Sequence, residues 1–182
     1  KPTKTLAYLF LIVIFVLFNL KVTTAFISDY KLSKSKALLS RAEISKAQIE
    51  IKKSISLNKN EPANFRQSAI TYIASTLSEN LSKENIKTLK TLALKNMERA
   101  YELQPYNLVN VKSLIEIYYF LSVKDLSKLE SGEFDEDFKN KTLEFFSKTE
   151  KLTQNDADAS LTLANYYKKL GEIEKAEKLY KN

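Results

Sequence analysis

The side chains able to do chemistry in this chain are few in kind. Neither cysteine nor histidine occurs among its 182 residues, which removes thiolate nucleophiles, disulfides, imidazole bases and nearly every zinc arrangement. Carboxylates concentrate once, at Glu133, Asp135, Glu136 and Asp137. A metal loop is conceivable there, but the alternating Asp/Asn spacing and closing Glu of a calcium loop are missing. Acidic residues at a helix start, facing the positive end of its dipole, account for the cluster. No serine has a histidine to pair with, and no Ser-Lys pair stands out among so many of both. Asn80-Leu81-Ser82 and Asn140-Lys141-Thr142 fit the glycosylation acceptor pattern, which Asn-rich helical chains produce by chance. The expectation is no catalytic residue, no cofactor and no metal, so no enzyme within this stretch.

What remains is recognition. Arg66, Ile70 and Ile73 stand at i, i+4 and i+7, as do Lys112, Glu116 and Tyr119, and again Leu161, Asn165 and Lys168. Each triplet shares one face of a helix, and three such faces side by side would line a peptide-binding groove. Asn165 with Arg66, Lys112 and Lys168 could serve a carboxylate. Set against this, lysines on a helix exterior are usually only solvated.

The net charge of +7 first suggests a nucleic-acid partner, and its distribution removes that suggestion. Residues 1–60 hold 11 basic and 3 acidic side chains, whereas residues 61–182 hold 18 and 19. The excess surrounds the first apolar segment instead of forming a stripe on the rest, so it reads as membrane-proximal charge and no nucleic acid is expected.

The elements that must position these groups are legible from the end of the chain. Leu163, Ala164, Tyr167 and Leu170 share a helical face, Gly171 allows a sharp turn, and Ile173, Ala176 and Tyr180 form a facing stripe. Small Ala164 and Ala176 let two helices approach closely, with tyrosines filling the gaps beside them. This helical hairpin resembles one tetratricopeptide repeat, a unit of about 34 residues, and since a lone hairpin cannot bury its apolar face, sister repeats are expected upstream. By the family pattern the second helix should run past Asn182, so this unit, residues 156–182, is expected to be truncated.

Residues 5–27 read as a transmembrane anchor, within a first region over residues 1–27. Its 23 residues, at about 1.5 Å each, cross a hydrocarbon core of roughly 30 Å. A signal peptide, cleaved or kept on a secreted protein, and a buried apolar helix remain alternatives; Thr23-Thr24-Ala25 would suit a cleavage site. Lys21 and the other flanking lysines would meet lipid headgroups. The lysines after the run outnumber those before it, which favours cytoplasmic repeats. The missing initiator Met suggests a piece of something longer.

Residues 28–182 then read as repeats over about 28–60, 61–105, 106–155 and 156–182. In the first, Leu32, Ser35, Leu38 and Leu39 face Ile44, Ala47, Ile51, Ile55 and Leu57, and Ala42-Glu43 replaces the glycine turn. The second opens at Pro62, with Phe65, Ala69, Tyr72 and Ile73 inward. It carries an insertion of about a dozen residues from Ser75, and Ser82 caps its second helix, where Ile86, Leu89, Ala93, Met97, Ala100 and Leu103 keep the 3.6 period. The third pairs Val111, Leu114, Ile115 and Tyr118 with Phe138, Thr142, Phe145, Phe146, Thr149 and Leu152, across a second insertion over 124–134. Asp135 is placed to cap its second helix. The predicted fold class is all-α: an N-terminal transmembrane helix followed by an α-solenoid of about three and a half hairpins of the tetratricopeptide kind.

A narrower resemblance covers essentially the whole chain. A membrane helix, a basic hairpin after it, Asn60-Glu61-Pro62-Ala63-Asn64-Phe65-Arg66, a long interhelical insertion, and Pro105-Tyr106-Asn107-Leu108-Val109-Asn110-Val111-Lys112-Ser113 are together similar to the C-terminal tail of bacterial O-antigen ligase/polymerase-like membrane proteins. The resemblance implies that glycan chemistry lies in an upstream membrane region, with no catalytic residue carried over to this chain. The expected role is a membrane-anchored scaffold for a protein or peptide partner. The alternative is a structural or self-associating extension, joined through the open face at the last repeat.

Overall fold

The computed structural model describes residues 2–78 and 81–181, leaving aside the side chains of residues 2–7 and 129–131. Lys1, Asn80, Asn182 and the side chains of Lys4, Thr5, Leu6 and Ser131 therefore lie outside the described residues. Eight α-helices and one 3-10 helix account for the described chain, with no strand beyond a single bridge between Val123 and Phe134. The chain divides into two compact units, Lys1–Lys59 and Asn60–Asn182.

The first unit is one hairpin. Helix α1 (Pro2–Ser40) runs without a break from the apolar stretch into the first arm of the hairpin, and α2 (Ile44–Leu57) returns along it. From Tyr8 to Thr23 every side chain of α1 is exposed, with a mean hydropathy of 2.3 over the apolar window. Ala42 turns the chain with φ of 59°, the left-handed conformation that glycine adopts in the last hairpin. Leu32, Ala47 and Ile51 are buried, and so are Ser28, Ser35, Glu50 and Ser54. Leu38, Leu39, Ile44, Ile55 and Leu57 are only partly covered.

The second unit stacks three hairpins: α3 (Pro62–Ser75) with α4 (Lys83–Leu103), α5 (Leu108–Ser122) with α6 (Glu136–Thr153), and α7 (Ala157–Lys169) with α8 (Ile173–Tyr180). The small residues lie where close helix packing demands them. Ala69, Ala93, Ala100, Ala164 and Ala176 are at most 1% exposed, so the helices touch through them. Helices α3, α5 and α7 contact one another in a row. Between α4 and α6 lies instead a hollow of about 220 Å³ bridged by Tyr101 edge-on to Phe145 at 5.4 Å. First helices drawn together and second helices held apart make the α3–α5–α7 side the inner one.

The two threonines replacing alanines in α6 fit because their hydroxyls turn back onto backbone carbonyls. Thr142 donates to Phe138 and Tyr118, and Thr149 to Phe145 and Phe146. A buried, bonded Thr142 also places its acceptor triplet in a packed helix. Around them the packing is aromatic, with Tyr118 stacked on Phe145 at 4.2 Å and Phe146 edge-on to Tyr167 at 5.2 Å.

Three sequence expectations need correction. The facing stripe of α8 is Ala176 and Leu179, while Ile173 and Tyr180 are 48% and 45% exposed; the Tyr180 hydroxyl reaches across to Asn165 at 2.8 Å. The first insertion is shorter than a dozen residues, since α4 begins at Lys83, with Ser82 accepting from the Asn85 amide at 3.1 Å. Asp135 precedes α6 without capping it through its side chain, which faces buried Lys90 at 3.8 Å.

Candidate peptide-binding face

The inner side of the second unit is built by the three first helices, each started by a side-chain cap. Glu61 accepts from the Ala63 amide, Asn107 from Asn110 and Asp156 from Ala159. These caps fix where each helix begins, and so the register of its i, i+4, i+7 triplet.

At the N-terminal ends of these helices the face is tied into the fold. The Arg66 guanidinium donates to Oδ1 of Asn110, which is 1% exposed and whose amide donates to the Ala100 and Gln104 carbonyls at 2.9 and 3.0 Å. Arg66 thus reads as a link from α3 to the C-terminal end of α4 and to α5, and its burial lowers its pKa while Glu61 opposes the shift. Lys112 pairs with Asp158 between α5 and α7, a hydrogen bond that holds the lysine above its ordinary pKa. Two of the cations suited to a carboxylate therefore already hold neighbouring hairpins together.

Toward the middle the face becomes aromatic. Glu116 is exposed; burial, then the nearby Glu116 carboxylate, push Tyr166 up to about 12. Tyr119 is 9% exposed and packs on Tyr166 at 5.1 Å, and the Lys169 ammonium lies 5.4 and 4.6 Å from the two ring centres. Leu161, Asn165 and Lys168 are all exposed on α7, with Asn165 accepting from Tyr180.

Between α3, α5 and the 3-10 helix Leu126–Ser131 the face opens into an apolar hollow of about 240 Å³, lined by Ile70, Ile73, Leu77, Ile117, Phe120 and Leu126. Ile70 and Leu77 are 38% and 53% exposed at its rim, while Ile73 is 7% exposed in its wall. The second insertion forms part of the wall. Val123 bridges Phe134, Lys124 and Asp135 amides bond to the Glu133 and Ser122 carbonyls, and Gly132 closes the loop with φ of 65°.

Sequence spacing found the triplets and missed their partners. Tyr166 and Lys169 are one residue beyond positions it chose, and Ile117 and Phe120 are the second apolar face of α5. The signal was present: from Leu114 to Val123 that segment is apolar nearly all round, a mark of a helix covered on two sides. Buried Lys90 was also missed. It is 2% exposed, donates to the Val123 carbonyl at 2.7 Å and lies over the Phe138 ring at 5.1 Å. Burial lowers its pKa and Asp135 opposes the shift. Within the acidic cluster Asp135 is thus the counter-charge of a buried lysine, while Asp137 pairs with Lys87 and Glu133 with Lys124, and no group of three potential metal ligands exists among the described residues.

No known family matches the chain. No curated protein matches it either. Among solved structures, one from a functional characterisation of Pseudomonas aeruginosa pilF is similar over 87% of this chain and 76% of that chain, at 13% identity and a TM-score of 0.41. The helical-repeat fold rests on the alanine packing and the hairpin turns.

Proposed function

We propose that the chain is a membrane-anchored repeat scaffold whose inner face binds an extended segment of a partner protein. The observation that carries this reading is the apolar hollow beside Ile70 and Leu77, set next to the polar and aromatic groups Glu116, Tyr119, Asn165 and Lys168. An apolar side chain of the partner enters the hollow and its backbone runs across α5 to α7. Arg66 and Lys112 shape the face, and Leu161 extends it. Exposed α1 is the anchor, through residues 5–27, and the lysines that follow favour a cytoplasmic repeat region. We assign no catalytic role or cofactor to this stretch; the O-antigen ligase-like resemblance makes it the non-catalytic tail of a larger membrane protein.

The test is a displayed library of extended peptides panned on the full chain in lipid nanodiscs. Enriched peptides should share an apolar residue and lose at least about tenfold in affinity when Ile70→Asp and Leu77→Asp close the hollow with helicity unchanged. Binding indifferent to that pair overturns the reading. Exposed Ile173 and Tyr180 on α8 favour a second reading, self-association, which predicts concentration-dependent dimers abolished by Ile173→Asp with Tyr180→Asp.

A further inference from the structure

The first unit gathers cations that are scattered in the sequence. Three contacts fix the register of α2 on α1. The Ser28 and Ser54 hydroxyls lie 3.0 Å apart, the Lys31 ammonium lies 3.0 Å from Glu50, and the Ser35 hydroxyl donates to the Ala47 carbonyl at 3.0 Å. Each step forward on α1 answers one step back on α2, so α2 leads back toward the apolar stretch. By that register Lys53 stands level with Asp29, Lys52 with Tyr30 and Leu57 with Ala25. Thr24 and Ala25 are accordingly the first described residues of α1 to lose exposure. The bare apolar stretch thus ends near Thr23, four residues short of Ile27.

Glu50 organises the cations. It is 7% exposed and holds Lys31 at 3.0 Å, Lys34 at 3.4 Å and Lys53 at 3.5 Å. With exposed Lys52, the patch holds four ammonium groups against two carboxylates, Glu50 and the exposed Asp29, which leaves a positive excess at a fixed level. At about 1.5 Å per residue the level of Lys53, Lys52 and Lys31 lies roughly 12 to 15 Å beyond Lys21, with Lys34 one turn further out. A headgroup layer of about 5 to 8 Å and a Debye length of about 8 Å bring it within reach of lipid phosphates. Phe26 and Tyr30, 74% and 59% exposed, are the aromatic types found at that boundary.

We infer that this hairpin is a collar for the headgroups of anionic phospholipids, with Lys31, Lys52 and Lys53 as contacts and Glu50 as the positioning residue. The inference rests on the reading of α1 as a membrane span. Folding α2 back doubles the number of cations at one level, which a single basic helix cannot do, and the polar end of α2 limits how deeply α1 sinks.

The experiment reconstitutes the full chain in phosphatidylcholine membranes holding about one third phosphatidylglycerol and compares spin-labelled versions of the two lipids by electron paramagnetic resonance. A motionally restricted lipid component reports the inserted span, and its selectivity reports the collar. Phosphatidylglycerol should be preferred about threefold at low salt, falling toward unity at high salt and in Lys52→Gln with Lys53→Gln. Lys178→Gln with Lys181→Gln should leave it unchanged. A restricted component with equal preference, or one the Lys52 and Lys53 changes do not move, overturns the collar and leaves the span standing. No restricted component at all overturns both.

Discussion

The hairpin of the first unit and the last hairpin of the second reach the same shape by different chemistry. Each turns on a left-handed residue, Ala42 with φ of 59° and Gly171 with φ of 84°, and each returns a helix antiparallel to the one before. Between α7 and α8 the contact is apolar: Leu163, Ala164, Tyr167, Leu170, Ala176 and Leu179 are at most 5% exposed. Between α1 and α2 it is largely polar, through Ser28 with Ser54, Ser35 with the Ala47 carbonyl, and Glu50 with its lysines. A left-handed turn and small residues at the crossing are thus enough to make a hairpin. The chemistry between its arms is free to vary: buried hydroxyl bonds and a carboxylate dominate in the first hairpin, apolar packing in the last. There Ser160 donates to the Leu179 carbonyl at 3.5 Å and Tyr180 to Asn165 only beside that packing.

Amide hydrogen exchange on the full chain resolves the two hairpins separately and puts this contrast at risk. The largest effect is expected for Tyr167→Ala, which removes a fully buried ring packed on Phe146 and bonded to Glu150. It should cost the α7–α8 hairpin about 3 to 5 kcal/mol of protection and leave α2 untouched. Next comes Ser28→Ala with Ser54→Ala, expected to cost α2 about 1 to 3 kcal/mol with α8 unaffected. If the serine pair moves α2 by less than an exposed substitution such as Ser56→Ala, the polar account of that hairpin fails.

The turns offer a smaller and opposite pair of effects. Gly171→Ala should destabilise its hairpin by about 1 kcal/mol through backbone conformation alone, since a Cβ there meets nothing within 4 Å. Ala42→Gly should stabilise the other by about the same amount.

The smallest effects are set by pH and separate the units by sign. The Lys31 hydrogen bond, with Lys31, Lys34 and Lys53 beside it, holds the Glu50 carboxyl below its ordinary 4.5 against the opposing effect of burial. Its contribution is therefore present above pH 4.5 and is lost as pH falls through the lower folded value, loosening α2 in acid. Tyr118 and Tyr167 are raised by burial, and Tyr166 is raised from 10.0 to about 12. Their contribution is complete below pH 10 and is lost as pH rises through the raised values, so the second unit loosens in alkali. Exchange profiles at the two extremes check both signs.

The fold was legible because alanine and tyrosine recur at helical spacing, which places small residues where two helices cross. Ala42 could be placed in a turn from the sequence because the apolar stripes on either side had to reverse there. The inner face was only half legible. Spacing put Arg66 and Lys112 on first helices but could not give their partners Asn110 and Asp158, which come from the neighbouring hairpin. The apolar hollow was hidden for the same reason, since Leu126 reaches it from an insertion that has no repeat period. Tyr180 was misplaced because the stripe of a two-turn helix is satisfied equally by Leu179, one step away.

The hairpins of the second unit lie side by side through their first helices, and the inner face exists only because they do. Zero-length carbodiimide crosslinking of the native chain tests it directly, because Lys112 on α5 and Asp158 on α7 are in contact only in that arrangement. An intramolecular Lys112–Asp158 peptide recovered by mass spectrometry is the predicted result. Its absence, while the local Lys46–Glu43 pair at 2.5 Å crosslinks normally, would contradict the stack.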